Sequence, residues 1–254
     1  MPTVLHVEAF ADNYIWLVAA GGAAAIVDPG DEAPVLARLE TEGLRPVAVL
    51  CTHHHWDHTG AIRDLLARYD MPVYGPAAET IPGRTVALAG GDRVALPELG
   101  LALDVLDVPG HTRGHIAYHG AGLLFCGDTL FSAGCGRLFE GSPEEMYHSL
   151  TRLAALPGDT RVYCAHEYTA ANLRFAAAVE PDNPAIAAKA QEVAGLRAAG
   201  RPTLPSTIGD EKTFNPFLRC EVPSVRAAAE AHAGRPLASP AEVFRVLRAW
   251  KDRF

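Results

Sequence analysis

The stretch "CTHHHWDHTG", Cys51–Gly60, follows directly on the apolar run "VAVL" and holds four of the chain's 11 histidines. If "VAVLC" is a strand and the chain stays extended past Thr52, alternate residues share a side, so His53, His55 and Asp57 project together. A turn into the amphipathic "TGAIRDLL" segment swings His58 onto the same pocket. His54 and Trp56 then point the other way and are left for packing. Three imidazoles and a carboxylate gathered in one place repel one another if protonated, and waste burial if neutral and unpaired. A transition-metal cation removes both problems. A solvated histidine-rich loop would explain the triplet alone, but not the Asp-His pair that follows it at a strand-to-helix junction.

Further strand ends carry matching groups. "LDVPGHTRGH" places His111 after a Pro-Gly turn, "LLFCGDTL" places Asp128 after an apolar run, and "RVYCAHEYT" does the same for His166. Each is unremarkable alone; together they lie where α/β folds build their sites, at the C-terminal ends of strands. His115 reads as support rather than ligand, and Asp28 in "VDPG" reads as a strand-end turn residue, with support of the ligands from behind as the alternative.

The surrounding chain supports such a fold. "TVLHVEAF", "YIWLVAA", "AAAIVDPG", "VAVLCTH", "LALDVLDVPG" and "GLLFCGD" are strand-length apolar runs bounded by turn residues. "DEAPVLARLETEG" and "TGAIRDLLARYD" space their apolar residues at three and four, as helices do. Ser142, Pro143 and Glu145 form a helix start, repeated at Ser239, Pro240 and Glu242. After the strand "TRVYCAH" the chain turns mostly helical, which places a domain boundary near residue 170. The expected organisation is an α/β (α+β) body over 1–170, with a helical domain over 171–254.

Composition narrows the partners. The 254 residues are 49% hydrophobic and 20% charged, an ordinary globular balance. A net charge of −8 disfavours binding to a phosphate backbone, so no nucleic-acid partner is expected, and an anionic ligand needs locally placed cations. Neither a basic leader nor an apolar run near the ~20 residues of a membrane helix is visible, so no membrane partner is expected. Five cysteines without a CxxC pair point to reduced thiols in the cytoplasm.

"THHHWDH", "PGHTRGH", "CGDTLF" and "CAHEYT", in this order, resemble the metallo-β-lactamase superfamily. "FADNYIWLV", "GCGRLFEG", "LPSTIGDEKTFNPFLR" and "WKDRF" narrow the resemblance to the glyoxalase II (hydroxyacylglutathione hydrolase) family. The resemblance implies an αββα sandwich with a C-terminal helical domain and two divalent metal ions. Zinc is expected, with iron or manganese compatible. One ion would take His53, His55 and His111, the other Asp57, His58 and His166, with Asp128 bridging. The implied reaction is hydrolysis of a glutathione thioester, S-D-lactoylglutathione, to glutathione and a 2-hydroxy acid. Hydroxide held by the two ions would be the nucleophile, with Asp57 and Asp128 as catalytic carboxylates. Matching positions for glutathione are Arg137, Phe139, Tyr168, Arg248 and Lys251. Phe139 departs from the tyrosine of animal-type members and cannot donate a hydroxyl hydrogen bond; Arg137 replaces a lysine and keeps the charge. A monomer is expected. The alternatives are a persulfide dioxygenase, lactonase or other thioesterase of this fold, or a non-catalytic metal-binding relative.

Overall fold

A computed structural model describes residues 2–254, in two compact units. The first unit runs to Asp107 and adds Arg113–Gly127. It opens with β1 (Thr3–Ala9), β2 (Asn13–Ala20) and β3 (Ala23–Val27), followed by α1 (Glu32–Glu42) and β4 (Arg45–Leu50). Next come α2 (Trp56–Thr59), α3 (Ile62–Arg68), β5 (Val73–Pro76) and β6 (Val86–Leu88). These strands form a six-stranded sheet in sequence order, antiparallel from β1 to β3 and parallel from β3 to β6. The change has a simple cause: tight turns join the first strands, whereas helical crossovers join β3 to β4 and β4 to β5. β3 is buried throughout, which is why it reads as an unbroken apolar run rather than an alternation.

The helix α1 is fixed at both ends. Asp31 accepts a hydrogen bond from the Ala33 amide, and Gly43 closes the helix in the left-handed conformation at φ 61°. Its Val35 and Leu39 pack on Ile15, Leu17, Ile26 and Val49 of the sheet. The unit continues with β7 (Arg93–Leu96), β8 (Leu101–Asp107), β9 (Ile116–Gly120) and β10 (Leu123–Gly127), an antiparallel meander.

Two expectations about the first unit need correction. The helix read over "TGAIRDLLARYD" is broken: α2 ends at Thr59 and α3 begins at Ile62. A side chain at Gly60 would meet the Gly30 carbonyl oxygen at 2.7 Å, so the chain at the break is pressed against the loop after β3. Trp56 is not packed away either. It is 67% exposed, touching Phe10 edge to face at 4.9 Å, because it opens α2 on the turn's outer side.

The second unit holds Val108–Thr112 and Asp128–Phe254. It contains β11 (Leu130–Phe131), β12 (Gly134–Cys135), α4 (Pro143–Ala154) and β13 (Arg161–Cys164). The rest is α5 (Thr169–Val179), α6 (Pro184–Ala198), β14 (Ser206–Thr207), α7 (Ile208–Phe214), α8 (Pro223–Ala233) and α9 (Pro240–Lys251). α4 begins with the full capping box that its sequence announces: the Glu145 amide donates to Ser142 Oγ, and the Ser142 amide to Glu145 Oε2. α9 uses a variant. Ser239 caps the Glu242 amide, but Glu242 accepts from Ala238 rather than from Ser239.

The "GDEKTFNPF" stretch, which carries α7, ties down the β11–β12 hairpin. Asn215 Nδ2 donates to the carbonyls of Phe131 and Gly134 and to Glu211 Oε2, all at 3.0–3.1 Å. Glu211 Oε2 also accepts from the Ala133 amide at 2.8 Å, and its burial raises the carboxyl's pKa above the ordinary range. Ala133 sits at φ 55°, a conformation that this clamp helps to hold. Removing Asn215 leaves two buried carbonyls short of a donor. An Asn215→Ala variant is expected to lose about 3 kcal/mol in a urea unfolding series; a loss below about 0.5 kcal/mol would show that the hairpin does not depend on it.

Candidate metal and ligand site

In the first unit, β4 ends at Leu50 and the motif lies on the loop and short helix beyond it. His53 Nε2 stands 3.1 Å from His55 Nδ1, and Asp57 Oδ2 stands 3.5 Å from His58 Nε2. His53 and His58 are fully buried, and His55 and Asp57 are partly so. Asp57 reaches its place from the first turn of α2, not from a continued strand as the alternation suggested. Asn13 Nδ2 donates to Asp57 Oδ2 at 3.0 Å and holds that carboxylate from the side. A side chain on Gly30 would come within 1.9 Å of the Asp57 carbonyl oxygen, so only glycine lets the loop after β3 run beneath it.

The proton positions follow from Asp28. This residue is 3% exposed and sits at φ 52°, so it does make the expected turn. Its carboxylate is also the anchor of the motif, the alternative that the sequence leaves open beside the turn. Oδ1 accepts from the Thr52 amide and Oδ2 from the Thr52 hydroxyl, both at 2.8 Å. With its proton spent there, Thr52 Oγ1 is left to accept from His53 Nδ1 at 3.1 Å. His58 Nδ1 lies 3.2 Å from Asp28 Oδ2. In His53 the proton is drawn to Nδ1 and the Nε2 lone pair turns toward His55, whereas His58 has a carboxylate near each nitrogen, Asp28 at Nδ1 and Asp57 at Nε2. His115, 1% exposed, stacks on His53 at 4.6 Å and bonds the Ile116 carbonyl through Nδ1. His54 faces away and pairs with the buried Glu79 at 2.9 Å.

In the second unit, His111, Asp128 and His166 come together. Asp128 Oδ2 is 3.4 Å from His111 Nε2, and Asp128 Oδ1 is 3.3 Å from His166 Nε2, so the two oxygens face different rings. His111 Nδ1 donates to the Arg137 carbonyl at 2.8 Å, which again leaves Nε2 as the lone pair. Gly136 permits this crowding, since a side chain there would meet the Asp128 carbonyl oxygen at 1.9 Å. His166 stacks on Tyr168, with ring centroids 4.8 Å apart and planes within 3°.

These spacings test whether a metal fits. Ligands at ~2.0–2.2 Å from a tetrahedral zinc-like ion lie about 3.3–3.6 Å from one another. Three of the four separations, 3.3, 3.4 and 3.5 Å, fall in that range, and the His53–His55 pair is slightly closer at 3.1 Å. The donor set of imidazole nitrogens and carboxylate oxygens suits a divalent transition metal.

The second unit also carries a cavity of about 450 Å³, whose lining includes His111 and Asp128. Every substrate-binding candidate lies on it: Arg137, Phe139, Tyr168, Arg248 and Lys251. Phe139 is 64% exposed and meets His111 edge to face at 5.2 Å, so its ring packs against the site even without a hydroxyl. Lys251 is half-buried, its ammonium 5.5 Å from the Phe175 ring centroid. Burial, then the nearby Arg248, Arg174 and Arg137, lower its pKa from the ordinary lysine value. Positive charge has been collected here beyond what the protein neutralises.

Comparison with known proteins agrees with this reading. Residues 10–166 match the family model described as metallo-beta-lactamase superfamily, and residues 167–254 the one described as hydroxyacylglutathione hydrolase C-terminus. A protein named hydroxyacylglutathione hydrolase from Nitrosomonas europaea is 54% identical over 254 residues, covering 100% of this chain and 97% of its own. One of the same name from Aeromonas salmonicida is 55% identical over 256 residues, with 100% of both covered. Among solved structures, ETHE1 from Myxococcus xanthus superposes with a TM-score of 0.69 at 26% identity, covering 98% of this chain and 91% of that one. TTHA1623, solved in a di-iron-bound form, gives 0.60 at 29% identity, covering 86% and 100%. The mixed sheets and helices are thus those of the metallo-β-lactamase fold, of the α/β class, and its histidine and aspartate clusters suggest a binuclear metal site. Matched from end to end at more than half identity, the chain belongs to the hydroxyacylglutathione hydrolase (glyoxalase II) family of metal-dependent hydrolases.

Proposed function

We propose that this protein hydrolyses the thioester of S-2-hydroxyacylglutathione, S-D-lactoylglutathione in particular, to glutathione and a 2-hydroxy acid, the second step of methylglyoxal detoxification. The observation that carries the reading is the cavity whose wall joins three cations, Arg137, Arg248 and Lys251, to His111 and Asp128. A substrate with carboxylates at one end and a reactive carbonyl at the other matches such a wall. Residues 1–170 would be the metal-binding catalytic domain and 171–254 the substrate domain, a division supported by the change of family model after residue 166.

In this reading His53, His55 and His111 hold one divalent ion, and Asp57, His58 and His166 the other, with Asp128 shared. The opposed oxygens of Asp128, one toward each histidine of its unit, favour the sharing role. When bound, the ions, zinc or else iron or manganese, would supply an activated water at neutral pH and a positive field for the developing oxyanion. The chain's own groups do the rest. Arg137, Arg248 and Lys251 fix the carboxylates of the tripeptide, Phe139 and Tyr168 pack against it, and Asp57, steadied by Asn13, orients the attacking water. A thiolate, with a parent pKa near ~8.5, departs without a strong acid, so the lack of a dedicated proton donor is no obstacle. Five buried thiols, none in a disulfide, fit the reducing cytoplasm.

Purified protein is expected to release thiol from S-D-lactoylglutathione, to stop after chelation and to recover with added divalent metal. No release at full metal occupancy would reject the assignment. Asp28→Asn keeps a side chain suited to φ 52° but puts an amide N–H where Thr52 and His58 need an acceptor. Metal affinity should fall about 10–100-fold, read by competition with a chromogenic chelator at a temperature where the metal-free variant is still folded. Unchanged affinity would remove Asp28 from the metal's support. Lys251 binds a carboxylate only while protonated, and its lowered pKa means that this charge is lost at a lower pH than an ordinary lysine's. KM should therefore climb early on the alkaline side, and Lys251→Arg should flatten that climb; identical profiles would refute the contact.

A further inference from the structure

Arg248 is the buried cation of the cavity wall, at 5% exposure. Its Nη1 donates to the Cys135 carbonyl at 2.8 Å, its Nη2 donates to Asp252 Oδ1 at 2.9 Å, and the guanidinium lies 5.3 Å from the Phe217 ring centroid. The same Asp252 oxygen stands 4.0 Å from Arg137 Nε. A single carboxylate, absent from every set of functional residues considered so far, thus touches two of the three wall cations. Its chain neighbour, Lys251, is the third, and it has no carboxylate against it among the described residues.

A carboxylate in that position acts on an incoming anion in two opposed ways. Through space it subtracts a charge from a wall built to be positive. Through its contacts it holds one end of the Arg248 guanidinium and gives that buried cation a counter-charge, with Arg137 at the edge of its reach. The first effect is weak, because Asp252 is 43% exposed and screened by water. The second is strong, because Arg248 sits in a packed socket between Cys135 and Phe217 and has one orientation to lose. The two effects predict opposite signs when Asp252 is removed, which makes its role decidable.

We propose that Asp252 is a positioning residue of the thiol-carrier pocket, fixing Arg248 and Arg137 so that, with Lys251, they receive a carboxylate of the glutathione moiety. The inference rests on the reading of the cavity as the glutathione site. It makes Asp252 a determinant of carrier specificity and not of the chemical step.

The test compares two lactoyl thioesters, of glutathione and of N-acetylcysteamine, which has no carboxylate. In Asp252→Ala, KM for the glutathione thioester should rise about tenfold, the size of a lost charge-assisted contact. kcat should stay within about twofold, and kinetics on the N-acetylcysteamine thioester should not change. Asp252→Glu should recover part of the loss. A KM that falls or stays level means that Asp252 merely subtracts charge, and overturns the proposal. Equal losses on both thioesters, a general structural effect, overturn it too. Should Asp252→Ala fail to fold, Asp252→Asn keeps the side-chain volume and puts the same question. Wild-type protein inert on lactoylglutathione would instead reject the function itself, a result separate from any Asp252 outcome.

Discussion

Nitrogen and oxygen donors held 3.1–3.5 Å apart, with ring protons drawn to the far side, are the constraint around which both units are arranged. Such a cluster is electrostatically costly by itself, because lone pairs and carboxylate charges face one another in buried surroundings. The surrounding structure is arranged to keep it that way. Thr52, held by Asp28, sets the proton of His53, the Arg137 carbonyl sets that of His111, and Gly30 and Gly136 allow backbone to press where any side chain would push the ligands apart. Holding such a geometry costs stability, which a bound cation would offset.

A second electrostatic arrangement lies beside it in the second unit. The chain as a whole carries −8, yet one cavity wall gathers Arg137, Arg248 and Lys251 and sets a single partly exposed carboxylate among them. The cost shows in Lys251, whose ammonium is destabilised by burial and by its cationic neighbours. An anionic ligand would remove that strain, so part of its affinity is stored in the free protein as repulsion. Against the general negative charge, only ligands that reach this wall gain from it, which favours small anions over extended ones.

How much of this could be read from sequence depends on how local each signal is. The strands around the motif and the start of α4 were legible because alternation, turn residues and capping are short-range rules. The short strands β5, β6, β7, β11 and β14, two to four residues each, gave no such pattern; their pairing partners and not their own composition make them strands. The break between α2 and α3 was hidden because its cause is the loop at Gly30, some thirty residues earlier. Trp56 was misread because alternation was carried past the real end of β4 at Leu50. Candidate ligands were visible by type and by placement at strand ends. Their supports were less so: Asp28 satisfies the turn reading at φ 52°, and "VDPG" alone does not decide between that turn and the support of the ligands, both of which it supplies.

The supports also differ in kind, and the difference bears on how each ligand tolerates change. His53 is oriented by a side chain, Thr52, which Asp28 holds in turn, and His58 lies 3.2 Å from the same Asp28 carboxylate, so a single substitution there bears on both rings at once. His111 is oriented by a backbone carbonyl at Arg137, which no substitution removes directly. What can disturb it is a shift of the Cys135–Phe139 segment, and that segment is pinned at one end by the Glu211–Asn215 clamp and along its course by Arg248 on the Cys135 carbonyl. The same Arg248 belongs to the cationic wall. Within the second unit, then, one guanidinium meets both the segment that fixes a ligand's proton and the cationic wall, but through different nitrogens: Nη1 on the Cys135 carbonyl and Nη2 on Asp252, so the segment keeps its own clamp when the wall contact changes.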